Sequence, residues 1–239
     1  SALKIENPLH KYGSVDTLLK QSVEQLYTQN IKDKFVGQIV VTPDCIGDFL
    51  GFITSDISDG KMISGNSLYK EKLNEQIAHP KLTFHSHPVS KEIVDGYFLT
   101  SDGYVAENST IVDKGILKTH LLGIYGANKL GKNRAVNDGG AYIIDAGDKS
   151  HLEIINNVKQ GVLLARFSGG SPANNGDFSG VAKNSYYIEN GEIKYPISET
   201  MVSGNIKEMF ENLSEISSDR INFGSSFLPW ISFKGVTVS

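Results

Sequence analysis

NSYYIENGEIKYPI, residues 184–197, decides the fold class. Two short runs of Tyr and Ile flank Asn190-Gly191, and Asn-Gly is the strongest short signal for a two-residue hairpin, because both central positions take positive φ. An antiparallel strand pair is therefore predicted here. Upstream, STIVDKGILKTHLL (109–122) repeats the logic, with Asp113-Lys114-Gly115 between two apolar runs. FVGQIVVT (35–42), LTFHS (82–86), AYIID (141–145), GVLLARF (161–167) and LPWISFKGVTV (228–238) also read as strands, rich in β-branched and aromatic residues.

Helical spacing dominates earlier in the chain. SVDTLLKQSVEQLYTQN (14–30) puts Leu18, Leu19, Val23, Leu26 and Tyr27 on one predicted inward face, with Ser14 as cap. DCIGDFLGFITSDISDG (44–60) aligns Ile46, Phe49, Leu50 and Ile53, and Gly60 is its predicted stop. SLYKEKLNEQIA (67–78) reads as a third helix with Leu68, Leu73 and Ile77 inward. Shorter helices are predicted in YGANKLG (125–131), HLEIINNVKQ (151–160) and IKEMFENLSEI (206–216), the last capped by Ser203 or Asn205. FSGGSPANNGDFSG (167–180) is the one long Gly/Asn/Ser-rich loop, and no internal repeat is present. Helices early and hairpins later give an α+β class with a large mixed or antiparallel sheet.

Composition narrows the function classes. The chain has 239 residues, 39% of them apolar, enough for a sizeable core. No apolar run is long enough to span a bilayer, and SALKIENPLHKYG lacks the layout of a secretory signal. A net charge of −4 with interspersed signs offers no basic footprint for nucleic acid. The single cysteine, Cys45, excludes an internal disulfide framework and reads as a small buried residue. The expected setting is cytoplasmic, and the start at Ser1 without methionine suggests a piece of something longer.

Two histidines invite a metal reading. In LTFHSHP, His85 and His87 stand two apart in a predicted strand and so share a face. His-Ser-His-Pro resembles the JAMM zinc isopeptidases, which carry a serine eight residues after the second histidine and an aspartate three further on. Those positions are Asp95 and Phe98, so the pattern fails. His85 and His87 supply two ligands at most, whereas zinc chemistry needs three or four. The chain has no G-x-S-x-G, H-E-x-x-H or P-loop spacing. Beside the strand at 161–167, the Gly-rich loop would let a peptide or partner segment approach a sheet edge, with Gly169, Gly170, Ser171 and Asp177 as cleft candidates.

GVLLARFSGGSPANNGDFSGVAKNSYYIENGEIKYPISETMVSGNIKEMF (161–210) resembles the TldD/PmbA family, its PmbA (TldE) branch in particular. The order is a strand, Gly-Gly, a GDFS turn, the Ile-Glu-Asn-Gly-Glu-Ile-x-Tyr-Pro hairpin and Ser-Gly-Asn-Ile-Lys-x-Met. GNSLYKEKLNEQIA and KGILKTHLLGIYGANKLG extend the likeness over roughly 35–239, clearest in 161–239. The whole of 1–239 then corresponds to the C-terminal domain of such a protein, without the N-terminal half. The resemblance implies a barrel-like closure of the sheet, and paired subunits of a cytoplasmic metalloprotease that trims or degrades peptides, with either a TldD-like subunit or a second copy as partner. An older family label, modulator of DNA gyrase, finds no support for direct DNA binding in the acidic balance.

The resemblance also carries a ligand set. The TldD branch has a His-Glu-x-x-x-His helix and a late cysteine that together bind zinc. Aligned through Gly51, the first histidine falls on Gly47, the glutamate on Asp48 and the second histidine on Phe52; the cysteine falls near Phe223 in INFGSSF. No cofactor is expected in this chain, and zinc belongs to the catalytic partner. The resemblance therefore implies a metal-free subunit domain. The alternatives are a self-sufficient metallopeptidase built on His85 and His87, or a peptide-binding module with no protease partner.

Overall fold

The structure is a computed structural model that describes residues 2, 4–198 and 200–239. Ser1, noted above for lacking methionine, lies outside them. Along the chain run α1 (Val15–Glu24), β1 (Phe35–Val41), α2 (Pro43–Asp56), α3 (Asp59–Ser64), β2 (Phe84–Ser86), β3 (Ser109–Asp113), β4 (Ile116–Leu117), α4 (Ile124–Leu130), β5 (Tyr142–Ile144) and α5 (His151–Asn156). The second half adds β6 (Gln160–Leu164), β7 (Arg166–Gly169), β8 (Asp177–Lys183), β9 (Tyr186–Glu189), β10 (Glu192–Pro196), β11 (Thr200–Asn205), α6 (Ile206–Glu211), β12 (Leu213–Asn222) and β13 (Phe227–Val238). Strands outnumber helices, and the class is α+β.

The chain divides into two compact units. Unit 1 takes Leu50–Asp145 and Asn222–Leu228; unit 2 takes Ile5–Phe49, Ala146–Ile221 and Pro229–Ser239. In unit 2, β1 lies between β13, antiparallel, and β6, parallel. A strand flanked on both edges reads as a continuous apolar run, and Ile39, Val40 and Val41 are fully buried. Beyond β6 come β9 and β10, the predicted hairpin, with Asn190 at φ 52° and Gly191 at φ 79°. The helix α5 covers this region through Ile154 and Ile155, packed with Val40, Leu163 and Ile188. A second cluster forms where Phe49 of α2 meets Phe167 and Phe178, with ring centroids 5.2 and 5.7 Å away.

Unit 1 is built on β2, which pairs β3 on one side and β5 on the other, both antiparallel. Its second predicted hairpin joins β3 to β4 through Lys114 (φ 47°) and Gly115 (φ 80°). There a Cβ on Gly115 would stand 2.2 Å from the carbonyl oxygen of Ala78, so the turn requires glycine on two counts. Met62 of α3 packs on Leu122 and Ala127 at α4.

Several expectations are corrected. The strand order β10-β9-β6-β1-β13-β5-β2-β3-β4 does not rejoin itself, so the sheet is mixed and open rather than a barrel. Residues 67–78 form turns, not a helix. Their N–H groups find partners elsewhere: Leu68 donates to the Asp56 carboxylate at 2.6 Å, Asn74 to Leu117 O at 2.7 Å and Ile77 to Gly115 O at 2.8 Å. Of the three residues expected inward there, Ile77 is buried, Leu68 half-buried and Leu73 exposed. Gly60 does not stop α2; it lies within α3, which ends at Gly65 in the left-handed region.

The first helix keeps its spacing but not its facing. It ends at Glu24 and tightens into a 3-10 turn, leaving Leu18, Leu19, Val23, Leu26 and Tyr27 exposed, Leu18 the least of them, while its buried residue is Gln21. Ser14 does not cap it; its hydroxyl donates to Asp44 instead. The long loop is shorter than expected, because Phe167 pairs with Ala182 and Gly169 with Gly180 in a β7–β8 hairpin, leaving 170–176 as the connection. Asn205, not Ser203, caps α6, accepting from Lys207 N and Glu208 N. The helix expected over 206–216 stops at Glu211, and Leu213–Ile216 open β12 instead, paired with β13. Strand β11 had no expectation attached: the ladder supplies what its mixed polar sequence lacks.

Candidate functional site

The helix to which the resemblance assigns chemistry is α2. Pro43 opens it, where a missing N–H costs nothing. Ile46, Phe49, Leu50 and Ile53 are buried and set the inward face. Gly47 is half-buried, and a Cβ built on it meets nothing within 4 Å. Asp48 is largely exposed, but desolvation of its carboxyl raises its pKa, against the opposing charge of Arg166. Phe52 stands one turn further on, half-buried. Cys45, on the buried side, is fully enclosed, and burial holds its thiol far above the ordinary range. That thiol is a packing group rather than a nucleophile.

Phe223 lies in the turn between β12 and β13. Its N–H donates to Ser226 O at 2.9 Å, and Asn222 Oδ1 accepts from Gly224 N at 2.7 Å. Zinc takes imidazole, thiolate or carboxylate donors. Of Gly47, Asp48, Phe52 and Phe223, Asp48 alone carries one. The four positions do not fit a zinc centre, and no metal-dependent step follows from them. Among the described residues, no group of three or more His, Cys, Asp or Glu is placed to hold a metal ion.

The strand period brings His85 and His87 together as expected, with ring centroids 4.6 Å apart. His85 is engaged at both nitrogens: Nδ1 lies 3.0 Å from Thr110 Oγ1 and Nε2 3.2 Å from Asp145 Oδ1. Burial, and then the neighbouring His85, lowers the pKa of His87. Asp145 is bonded to His85, and the carboxylates of Glu92 and Asp145 both act on His87 in the opposite sense. Asp95 and Phe98 stay outside this arrangement in the sense that matters: Asp95 N donates to Gly224 O at 3.0 Å, and Phe98 is exposed.

Unit 2 contains a polar cavity of about 410 Å³, lined in part by Asp177, Asn205, Glu208, Asn212 and Lys234. Asp177 accepts from Asn175 Nδ2 at 2.7 Å and Asn205 Nδ2 at 2.9 Å, and these bonds hold its carboxyl below the usual carboxylate range. Of the four cleft candidates, Asp177 alone lines this cavity. Gly169 sits in β7, where a Cβ would come within 2.6 Å of the Phe167 ring. Gly170 and Ser171 are exposed in the connection, and a Cβ on Gly170 would meet open space. The strand β7 pairs with β8 on one side only, so its other edge carries no strand partner among the described residues.

The family model described as the PmbA/TldA metallopeptidase C-terminal domain matches residues 36–239. The chain belongs to the PmbA/TldD family. It is 30% identical over 195 residues to a protein named metalloprotease PmbA homolog from Buchnera aphidicola subsp. Baizongia pistaciae, covering 75% of this chain and 43% of that one. Metalloprotease PmbA of Escherichia coli O157:H7 is 28% identical over 227 residues, covering 92% and 49%. A crystal structure from Bacteroides thetaiotaomicron, named a modulator of DNA gyrase, superposes with a TM-score of 0.86 at 27% identity, over 94% of this chain and 51% of that one. The chain thus spans about half the length of the relatives it matches.

Membership of the PmbA/TldD family fits the hairpin at 184–197 and the Asn205 cap, both parts of the stretch that first suggested it. Sequence reading missed Glu208, Asn212 and Lys234 as cavity residues. They come from α6, its C-terminal end and β13, and no local spacing links them. No helix among the described residues is long and apolar enough to cross a membrane.

Proposed function

We propose that this chain is the metal-free subunit domain of a PmbA/TldE-like member of the family. It pairs in the cytoplasm with a TldD-like subunit or with a second copy, and helps to shape the channel through which a metalloprotease admits peptides. The observation that carries the reading is the α2 face, where Gly47 and Phe52 occupy the two positions that the resemblance gives to histidine ligands. Asp48 keeps a carboxylate, but a base without a metal-bound water has nothing to activate. The unpaired edge of β7 supports the peptide part: an extended segment adds to such an edge through main-chain hydrogen bonds.

The test is assembly and metal content together. Native mass spectrometry of this chain mixed with a TldD-type subunit is expected to show a complex, or a homodimer in its absence. Zinc in the isolated chain is expected to stay below about a tenth of an equivalent after chelator-free purification. Monomer under both conditions would count decisively against the subunit role. The adjacent rings of His85 and His87, 4.6 Å apart, favour one second reading, a metal site of their own. Stoichiometric zinc lost in a His85→Ala, His87→Ala double variant would establish it.

A further inference from the structure

Unit 2 holds a second cavity, of about 250 Å³, and its character differs from the first. Its wall is largely apolar, with Leu18, Ile155, Leu163, Ile193, Ile221 and Trp230 contributing. His151 stacks on Trp230 at a centroid distance of 4.4 Å and closes part of the wall as a flat aromatic surface.

Most polar groups at the cavity are already engaged. Ser14 donates to Asp44, Thr42 Oγ1 donates to Ala165 O at 3.4 Å, and His151 Nδ1 lies 2.8 Å from Asp219. Gln21 is the exception. It is 7% exposed, and its Oε1 accepts no hydrogen bond from any described group. A buried acceptor without a donor keeps its desolvation penalty uncompensated. Here it stands on the inward face of α1, where the helix exposes Leu19 and Val23 and buries an amide instead.

Charge then selects the donor. Among the described residues, Asp44 is the one carboxylate in the wall, and no Lys or Arg lines it. The starts of α2 and α5 also reach the wall, and helix N-termini favour anions. Each already has its own carboxylate: Asp44 lies in the first turn of α2, and Asp219 accepts the His151 N–H at 2.7 Å. An added anion would meet Asp44 and an acceptor oxygen. The volume falls below the ~300–1,000 Å³ typical of drug-sized ligands, which suits one ring or one branched side chain.

We propose that this cavity binds a primary ammonium group carrying an apolar substituent of about phenyl size. The ammonium donates to Gln21 Oε1 with Asp44 as the negative charge, and the substituent packs on the wall around Trp230. A free amine and the amino terminus of a peptide beginning with an apolar residue share this chemistry. The inference is independent of the metal-free subunit reading.

Trp230 is the only tryptophan in the chain, so its fluorescence reports on this cavity directly. The full chain is titrated near neutral pH with phenethylamine, phenylethanol, phenylacetate and the peptide Phe-Gly-Gly, with N-acetyl-Phe-Gly-Gly as control. Saturable change is expected with the amine, at least about tenfold weaker with the alcohol, and absent with the acid. Binding of Phe-Gly-Gly but not its acetylated form assigns the peptide terminus as source; response to the amine alone assigns a free amine. Gln21→Met is expected to weaken amine binding at least about tenfold, at a melting temperature no lower than that of the unaltered chain because the variant removes the unsatisfied acceptor. No saturable response to either amine, an equal response to phenylacetate, or full affinity in folded Gln21→Met overturns the proposal. If Gln21→Met does not fold, the amine, alcohol and acid series on the unaltered chain decides alone.

Discussion

His151 lies flat against Trp230, the planes inclined by 19°, while its Nδ1 and its backbone N–H both point to the Asp219 carboxylate at 2.8 and 2.7 Å. One carboxylate thus fixes the start of α5 and the orientation of an aromatic wall. Asp219→Asn is expected to lower stability in denaturant unfolding by about 0.5–1 kcal/mol, modest because the pair is partly solvent-screened. Hydrogen bonds from the His151 backbone and ring hold the Asp219 carboxyl below the usual range. Its stabilisation is therefore present at neutral pH and lost as pH falls through the carboxylate range, and the variant should show a weaker acid dependence there.

Asn205 joins two structures with one side chain. Its Oδ1 caps α6, and its Nδ2 donates to Asn175 O and to Asp177 Oδ1, each at 2.9 Å. Asn205→Ala is expected to cost about 1–2 kcal/mol in thermal unfolding. Asn205→Asp, which keeps the cap but sets a second carboxylate against Asp177, should recover only part of that loss.

Gly180 leaves room for the Phe167 ring. A Cβ there would lie 2.4 Å from Phe167 Cζ and 2.7 Å from Gly169 Cα, across the β7–β8 pair. Gly180→Ala is expected to destabilise by about 1–3 kcal/mol, as overpacking does. An unchanged melting temperature would show that the hairpin yields at no cost.

Gly47 is the opposite case. It stands inside α2 with open space at its Cβ. Gly47→Ala should therefore stabilise the chain by about 0.5–1 kcal/mol through helix propensity. A loss in chemical unfolding would mean that the position needs glycine for another reason.

Two histidines predict sensitivity to mild acid. His120 is buried with Nε2 donating to Tyr69 O at 3.1 Å, and burial lowers its pKa; burial lowers that of His87 as well. The unfolded chain then binds protons more readily than the folded one. Stability should fall as pH drops below about 6.5. Melting temperatures from neutral to about pH 5 check this, and His120→Gln is expected to flatten the decline.

The hairpins at Asn190-Gly191 and Lys114-Gly115 were legible because a turn that needs two positive φ angles leaves few residue choices. The apolar face of α2 was legible for a similar reason, since a helix buried along one side must repeat its apolar residues at 3.6. The stretch 67–78 misled, because its apolar spacing fits a helix while its backbone donors are captured by Asp56, Leu117 and Gly115. Strand β11 was not legible at all, and the start of β12 read as the end of the helix at 206–216. Their residues are polar and mixed, and pairing with β8 and β13 holds them.

By itself, the sequence determined the α+β class, the two hairpin turns, the buried face of α2 and the resemblance that the family match bears out. It also determined that Gly47 and Phe52 offer no metal donor, because that is a property of residue type alone. Tertiary structure alone decided which way α1 faces, that the sheet stays open, and that His85 is held by Thr110 and Asp145. It alone gathered Gln21, Asp44 and Trp230 around one cavity. Such groupings depend on contacts between residues far apart in the chain, and no local period encodes them.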